Sequence, residues 1–190
     1  MKKPVLVACE CTQVVTSAFR ARGAVAFSCD LDKCYGSHPE WHIQCNVTQL
    51  INDDWGLVVA HPPCTYLARV GSQHLHSGKH TVEQVEEARK FFMMFTQLNR
   101  PTCIENPIPH RYARLPPPTQ WICPSMFGHP YSKKTGLWLF GLPFLLPTCG
   151  YYANPQQWLR HSDHGMRARS RFFAGIAAAM AEQWYDYILE

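Results

Sequence analysis

The chain has no glycine before Gly23, no Cys-x-x-Cys pair and no apolar run long enough to cross a bilayer. A glycine-free start leaves the first strand without the Gly-rich turn that lets backbone approach a ligand closely. The Cys9-x-Cys11 and Cys29-x4-Cys34 spacings match no familiar zinc framework, so no metal is expected. Nine cysteines at such spacings suit a reducing compartment, most of them as small buried core filler. Met1-Lys2-Lys3 leads into an apolar run of only strand length, Val5 to Cys9, which predicts a soluble, cytoplasmic protein with no membrane partner. Charge is scarce as well. With 17% charged residues and a net +4, the chain permits a nucleic-acid or nucleotide partner without demanding one. There is no internal repeat and no low-complexity tract.

At 190 residues the chain suits one well-buried domain, taken as residues 1–190. Strand-like and helix-like segments alternate through the first two-thirds, which predicts an α/β fold with a doubly wound, mainly parallel sheet. Val14 to Arg22 reads as a helix stopped by Gly23, and Val47 to Ile51 as a short one. Thr81-Val82-Glu83-Gln84 has the form of a capping box, opening a helix through Leu98 with the stripe Val82, Val85, Ala88, Phe92 and Phe95. From Pro101 the texture turns proline- and aromatic-rich. Trp121 to Cys123 and Thr135 to Leu139 are expected as two antiparallel edge strands within the loop-rich stretch 107–155. A last helix is expected from about Phe173 to Leu189, burying Ile176, Ala177, Met180, Trp184 and Ile188.

Two short motifs carry chemistry. His61-Pro62-Pro63-Cys64 follows the apolar run Leu57 to Ala60, and Glu105-Asn106-Pro107 follows Thr102 to Ile104. Ligands in open α/β sheets sit outside the carboxyl ends of such strands, so Cys64 and Glu105 are expected to face one pocket. A thiolate is a strong nucleophile near neutral pH, and a carboxyl group in a partly apolar pocket can stay protonated and donate. Sulfur attack on carbon 6 of cytosine, with proton delivery to ring nitrogen 3, would turn carbon 5 into a nucleophile. The two prolines restrict the backbone before the cysteine.

These residues resemble the cytosine carbon-5 DNA methyltransferases, and more closely the short methylase-like proteins of bacteriophages. Pro62-Pro63-Cys64 is similar to that family's Pro-Cys motif and Glu105-Asn106-Pro107 to its Glu-Asn-Val motif. The resemblance implies a Rossmann-like, methyltransferase-like fold, with Cys64 and Glu105 catalytic and Pro63, Asn106 and His61 beside the substrate. It also implies S-adenosylmethionine as cofactor, held by Cys9, Glu10, Asp30 and Asn46. Arg167, Arg169 and Arg171 resemble the C-terminal substrate-contacting motif, without the family's usual Gly-Asn pair. DNA or a cytosine nucleotide is the implied partner, in a bacterium or phage-infected cell. The stretch 107–155 stands in place of a target-recognition domain, so sequence specificity is low or is shared with a second copy in a homodimer.

Plainer readings stand beside these. Cys64 alone suits an inert buried thiol, Glu105-Asn106-Pro107 a turn, and Arg167 to Arg171 a solvated turn, as do Lys133 and Lys134. His61 can tune the cysteine, contact substrate or cap a strand. Glu10 can meet cofactor or substrate, or cap the next helix, and Asp30 can form a turn with Asp32. The loop Arg69 to His80 reads as a mobile cover for Cys64. Two other functions remain open: the same Cys/Glu pair in a non-methylating enzyme, and a catalytically silent module binding nucleic acid, nucleotide or protein.

Overall fold

Val5-Leu6-Val7-Ala8 and Leu57-Val58-Val59-Ala60 are apolar at every position, which suits strands covered on both faces. They form β1 (Val5–Ala8) and β4 (Leu57–Ala60) at the centre of a seven-stranded sheet in the computed structural model, which describes residues 1–150, 156 and 172–190. The other strands are β2 (Ala26–Asp30), β3 (His42–Gln44), β5 (Thr102–Pro107), β6 (Gln120–Ile122) and β7 (Thr135–Phe140). Their order is β3-β2-β1-β4-β5-β7-β6, parallel from β3 through β5 and antiparallel at β7 and β6. This α/β arrangement is compatible with a Rossmann-like fold. The chain steps outward from β1 to β3 and then returns to β4, so the order reverses between β1 and β4. Crevices outside the carboxyl ends of strands at such a switch point are where open sheets bind ligands.

Alternation along the strands divides the core in two. Val5, Val7, Leu57, Val59, Cys103 and Leu137 face helices α1 (Val14–Ala21) and α4 (Ala174–Trp184), packing on Val15, Phe19, Ile176, Met180 and Trp184. Leu6, Ala8, Val58, Ala60, Ile104 and Trp138 face the other side, where Phe92 and Phe95 of α3 (Val82–Phe95) meet them. Full burial of each such large side chain contributes about 1.5–3 kcal/mol. Gly175 lets α4 dock. A Cβ there would lie 1.9 Å from the Phe127 carbonyl, and its N–H donates to His129 Nε2 at 2.9 Å.

Several boundaries differ from expectation. The Thr81/Gln84 capping box forms, but α3 stops at Phe95, where the Thr96 hydroxyl turns back to the Met93 carbonyl at 2.8 Å. Val82 is 69% exposed because it occupies the first helical position, ahead of the inward stripe. Val47–Gln49 is a single 3₁₀ turn. Past Trp184 the last helix tightens into a 3₁₀ turn, Tyr185–Tyr187, yet Ile188 stays buried. The expected cover loop contains a 3₁₀ turn, Arg69–Gly71, and α2 (Ser72–His76). Among the described residues no helix is long and apolar enough to cross a membrane.

Candidate active site

The site is built by the register of β4 on β5. Val59 pairs with Cys103 and Ala60 with Ile104, so the next step sets His61 opposite Glu105. His61 is held in line by its own N–H, which donates to the Ala8 carbonyl at 2.9 Å. Its Nδ1 lies 3.1 Å from Glu105 Oε2, with the two side chains only 13% and 11% exposed. One residue further, the amide of fully buried Asn106 donates to the Pro62 carbonyl at 3.2 Å. Cys64, half-buried, opens a helical turn whose first carbonyl accepts from Leu67 N at 3.0 Å and Ala68 N at 2.8 Å. Chain connectivity keeps its Cα within about 7 Å of that of Pro62. Pro63 is exposed beside it.

His110 fastens this turn, a role that nothing in the sequence pattern announced. Its Nε2–H donates to the Tyr66 carbonyl at 2.8 Å, and its Nδ1 accepts from Ala113 N at 3.2 Å, which fixes the tautomer. Backbone bonds from Arg69 N to the Ile108 carbonyl, 2.7 Å, and from His110 N to the Leu67 carbonyl, 2.9 Å, complete the clasp. The loops following β4 and β5 are thereby one unit.

The charge state of Glu105 differs from the expected protonated carboxyl. Burial alone would raise its pKa. The hydrogen bond from His61, the charge of Lys133, the His61 imidazole and a bond from Thr135 together outweigh burial and hold it below the usual carboxylate value. Glu105 is therefore ionised at neutral pH. Below it in the strand, Cys103 is fully buried and its thiol is pushed well up by burial and by Glu105. Phe172, which follows Arg171 in the chain, packs its ring 4.7 Å from the His61 imidazole. Arg167, Arg169 and Arg171 lie outside the described residues.

The residues expected to hold a cofactor follow β1, β2 and β3 in spatial order. Cys9 and Gln13 both adopt left-handed backbone with φ 60, so the loop makes its turn without glycine. Glu10 answers its open question by capping α1: it accepts from Val15 N at 2.7 Å, Thr16 N at 3.1 Å and the Thr16 hydroxyl at 2.7 Å. Both oxygens are engaged there, which leaves the carboxylate poorly suited to a cofactor. Asp30 accepts from Asp32 N at 2.9 Å, the turn that stood as the alternative to its ribose role, and Asn46 Oδ1 accepts from Thr48 N at 3.1 Å. Cys29 and Cys45 bring their sulfurs to 3.8 Å, and burial followed by Cys45 pushes the Cys29 thiol up to about 12. Burial, then Asp30 and Cys29, raises Cys9 as well. The raised values disfavour the thiolate form of Cys29 and Cys9 at neutral pH.

Among the described residues no group of three histidines, cysteines or acids is placed to share a metal ion. A cavity of about 560 Å³ opens elsewhere, between the end of α1 and Trp41 at the amino end of the sheet. The Trp41 ring is stacked on His38 at 3.6 Å and approached by the Arg20 guanidinium at 4.6 Å. No family model matches the chain, and no curated protein matches it.

Proposed function

We propose that this chain is a methyltransferase-like enzyme that modifies carbon 5 of cytosine, in DNA or in a nucleotide, through a covalent adduct on Cys64. The observation that carries the reading is the β4–β5 register, which joins the Pro-Pro-Cys loop to Glu105 and Asn106 at the carboxyl edge of the sheet. The single reversed strand β7, set between β5 and β6, and the switch point beside β1 and β4 support a methyltransferase-like fold.

In this chemistry Cys64 Sγ bonds to carbon 6 of the ring, nitrogen 3 gains a proton from the Glu105 side, and the π electrons of the ring double bond move to carbon 5. After carbon 5 has bonded an electrophile and lost its hydrogen to a base, the S–C6 bond breaks, nitrogen 3 returns its proton to the Glu105 side and the ring is restored. In a duplex the base must first leave the stack, at a cost of about a few kcal/mol. The residues present fit S-adenosylmethionine in part. The left-handed turns at Cys9 and Gln13 replace the missing glycines, and the Asp30 carboxylate has lone pairs for a ribose diol beside its bond to Asp32. Asn46 would meet the adenine. Bound there, S-adenosylmethionine supplies an electrophilic methyl group.

A second reading keeps the Cys64 chemistry with a different electrophile, and the engagement of Glu10 by α1 favours it. Calorimetric titration with S-adenosylmethionine, followed by label transfer to a cytosine oligonucleotide or nucleotide, separates the two. Heat together with labelled 5-methylcytosine is expected. Neither heat nor a thermal shift at saturating S-adenosylmethionine would remove methyl transfer.

A further inference from the structure

The proton that nitrogen 3 must receive has no obvious source, because Glu105 is held as a carboxylate. The proton-bearing ring within hydrogen-bond reach of Glu105 is the His61 imidazole, 3.1 Å away and almost as buried. We propose that His61 and Glu105 act as one proton-holding unit, in which the imidazolium–carboxylate pair, rather than a protonated carboxyl alone, supplies the proton to the base. This rests on the cytosine reading and names a positioning residue for it.

The geometry restricts how the pair can work. Nδ1 faces the carboxylate and so carries a hydrogen, whereas Nε2 is buried and without a hydrogen-bond partner among the described residues. In the protonated pair the Nδ1–H bond breaks as a hydrogen bonds to Glu105 Oε2. Glu105 then gives up a proton as the N3–H bond forms on the ring. His61 is left neutral with its hydrogen on Nε2, and Glu105 is again a carboxylate, so charge and protons balance. The surroundings suit this cycle. Phe172 shields the imidazole from one side, Lys133 and the Thr135 hydroxyl hold the carboxylate form from β7 and the loop before it, and Cys103 stays a neutral thiol beneath. Of the three buried side-chain atoms without a partner among the described residues, Arg100 Nε lies elsewhere, and Asn106 Oδ1 lies on the residue next to Glu105 in β5, so this strand end holds two of them.

The experiment has two arms on the full chain. Exchange of the carbon-5 hydrogen of a deuterated cytosine oligonucleotide, followed against pH, should decline for the native protein as rising pH removes the proton from the pair. His61→Asn, which keeps a hydrogen-bonding side chain that cannot titrate, should lose about 100-fold in exchange and lose that alkaline decline. An Asn variant with native rate and native pH profile overturns the proposal. Independently of activity, nitrogen-15 imidazole spectra of the native protein should show a hydrogen on His61 Nδ1 whose signal shifts in Glu105→Gln. An Nδ1 without hydrogen, or signals indifferent to Glu105→Gln, also overturns it. Absence of exchange at every pH would instead sink the cytosine reading, and the spectra alone would then decide whether the pair exists.

Discussion

The two sides of the sheet's carboxyl edge treat their polar side chains differently. Beyond β1, β2 and β3, three of the four candidate side chains bond to nearby protein, Glu10 to α1, Asp30 to Asp32 and Asn46 to Thr48, and Gln13 beside them bonds to His38. Beyond β4 and β5, buried His61 Nε2 and Asn106 Oδ1 have no partner among the described residues, although both residues are tightly held by their other atoms. Buried polar atoms without partners carry a desolvation cost of about 1–3 kcal/mol each, so a fold retains them where something else meets them. The first side chains hold local backbone, whereas the second edge leaves two buried polar atoms unmatched among the described residues.

Substitutions sharpen that contrast. The largest effect is expected from Cys64→Ser, which should lower turnover at least about 1000-fold in a cytosine-modification assay while leaving the thermal midpoint nearly unchanged, because the hydroxyl ionises far less readily than the thiol. Glu10→Ala should do the reverse. Loss of three bonds to the start of α1 should destabilise the fold by about 2 kcal/mol in urea titration, with catalysis in the folded fraction largely kept. A Glu10→Ala protein with native stability and no activity would invert the comparison. A smaller effect attaches to acid. Glu105 has a folded-state pKa below its ordinary 4.5, so the unfolded chain takes up its proton first. Its contribution to stability is present above pH 4.5 and is lost as pH falls through the lower folded value, and Glu105→Gln should flatten that part of the stability profile.

Much of the frame was legible in the sequence because it depends on local signals. The unbroken apolar runs of β1 and β4, the Thr81/Gln84 capping box and the two antiparallel edge strands all follow from residue type and spacing. The site was legible only as two motifs at strand ends. That His61 bonds Glu105, and that Asn106 bonds Pro62, depends on the alignment of strands some forty residues apart, and a shift of one residue would send each side chain to the other face. The same limit hid His110, whose partners Tyr66 and Ala113 come from different loops. It also hid the ionised state of Glu105, since Lys133 and Thr135 approach from β7 and its preceding loop. The role of Glu10 stayed open among cofactor, substrate and helix cap for a different reason. The residue at the start of α1, Gln13, takes left-handed backbone and makes no side-chain cap there, so a carboxylate upstream of it does so instead.

The central claim is that Cys64 and the Glu105 unit meet one cytosine ring. Mass spectrometry of the protein incubated with a 5-fluorocytosine oligonucleotide or nucleotide and S-adenosylmethionine tests it most directly, because fluorine cannot leave as a proton once carbon 5 has been substituted. The account predicts a covalent adduct mapped to the peptide containing Cys64, absent from Cys64→Ser and strongly reduced in Glu105→Gln. An adduct on any other cysteine, or undiminished labelling in Glu105→Gln, would contradict it.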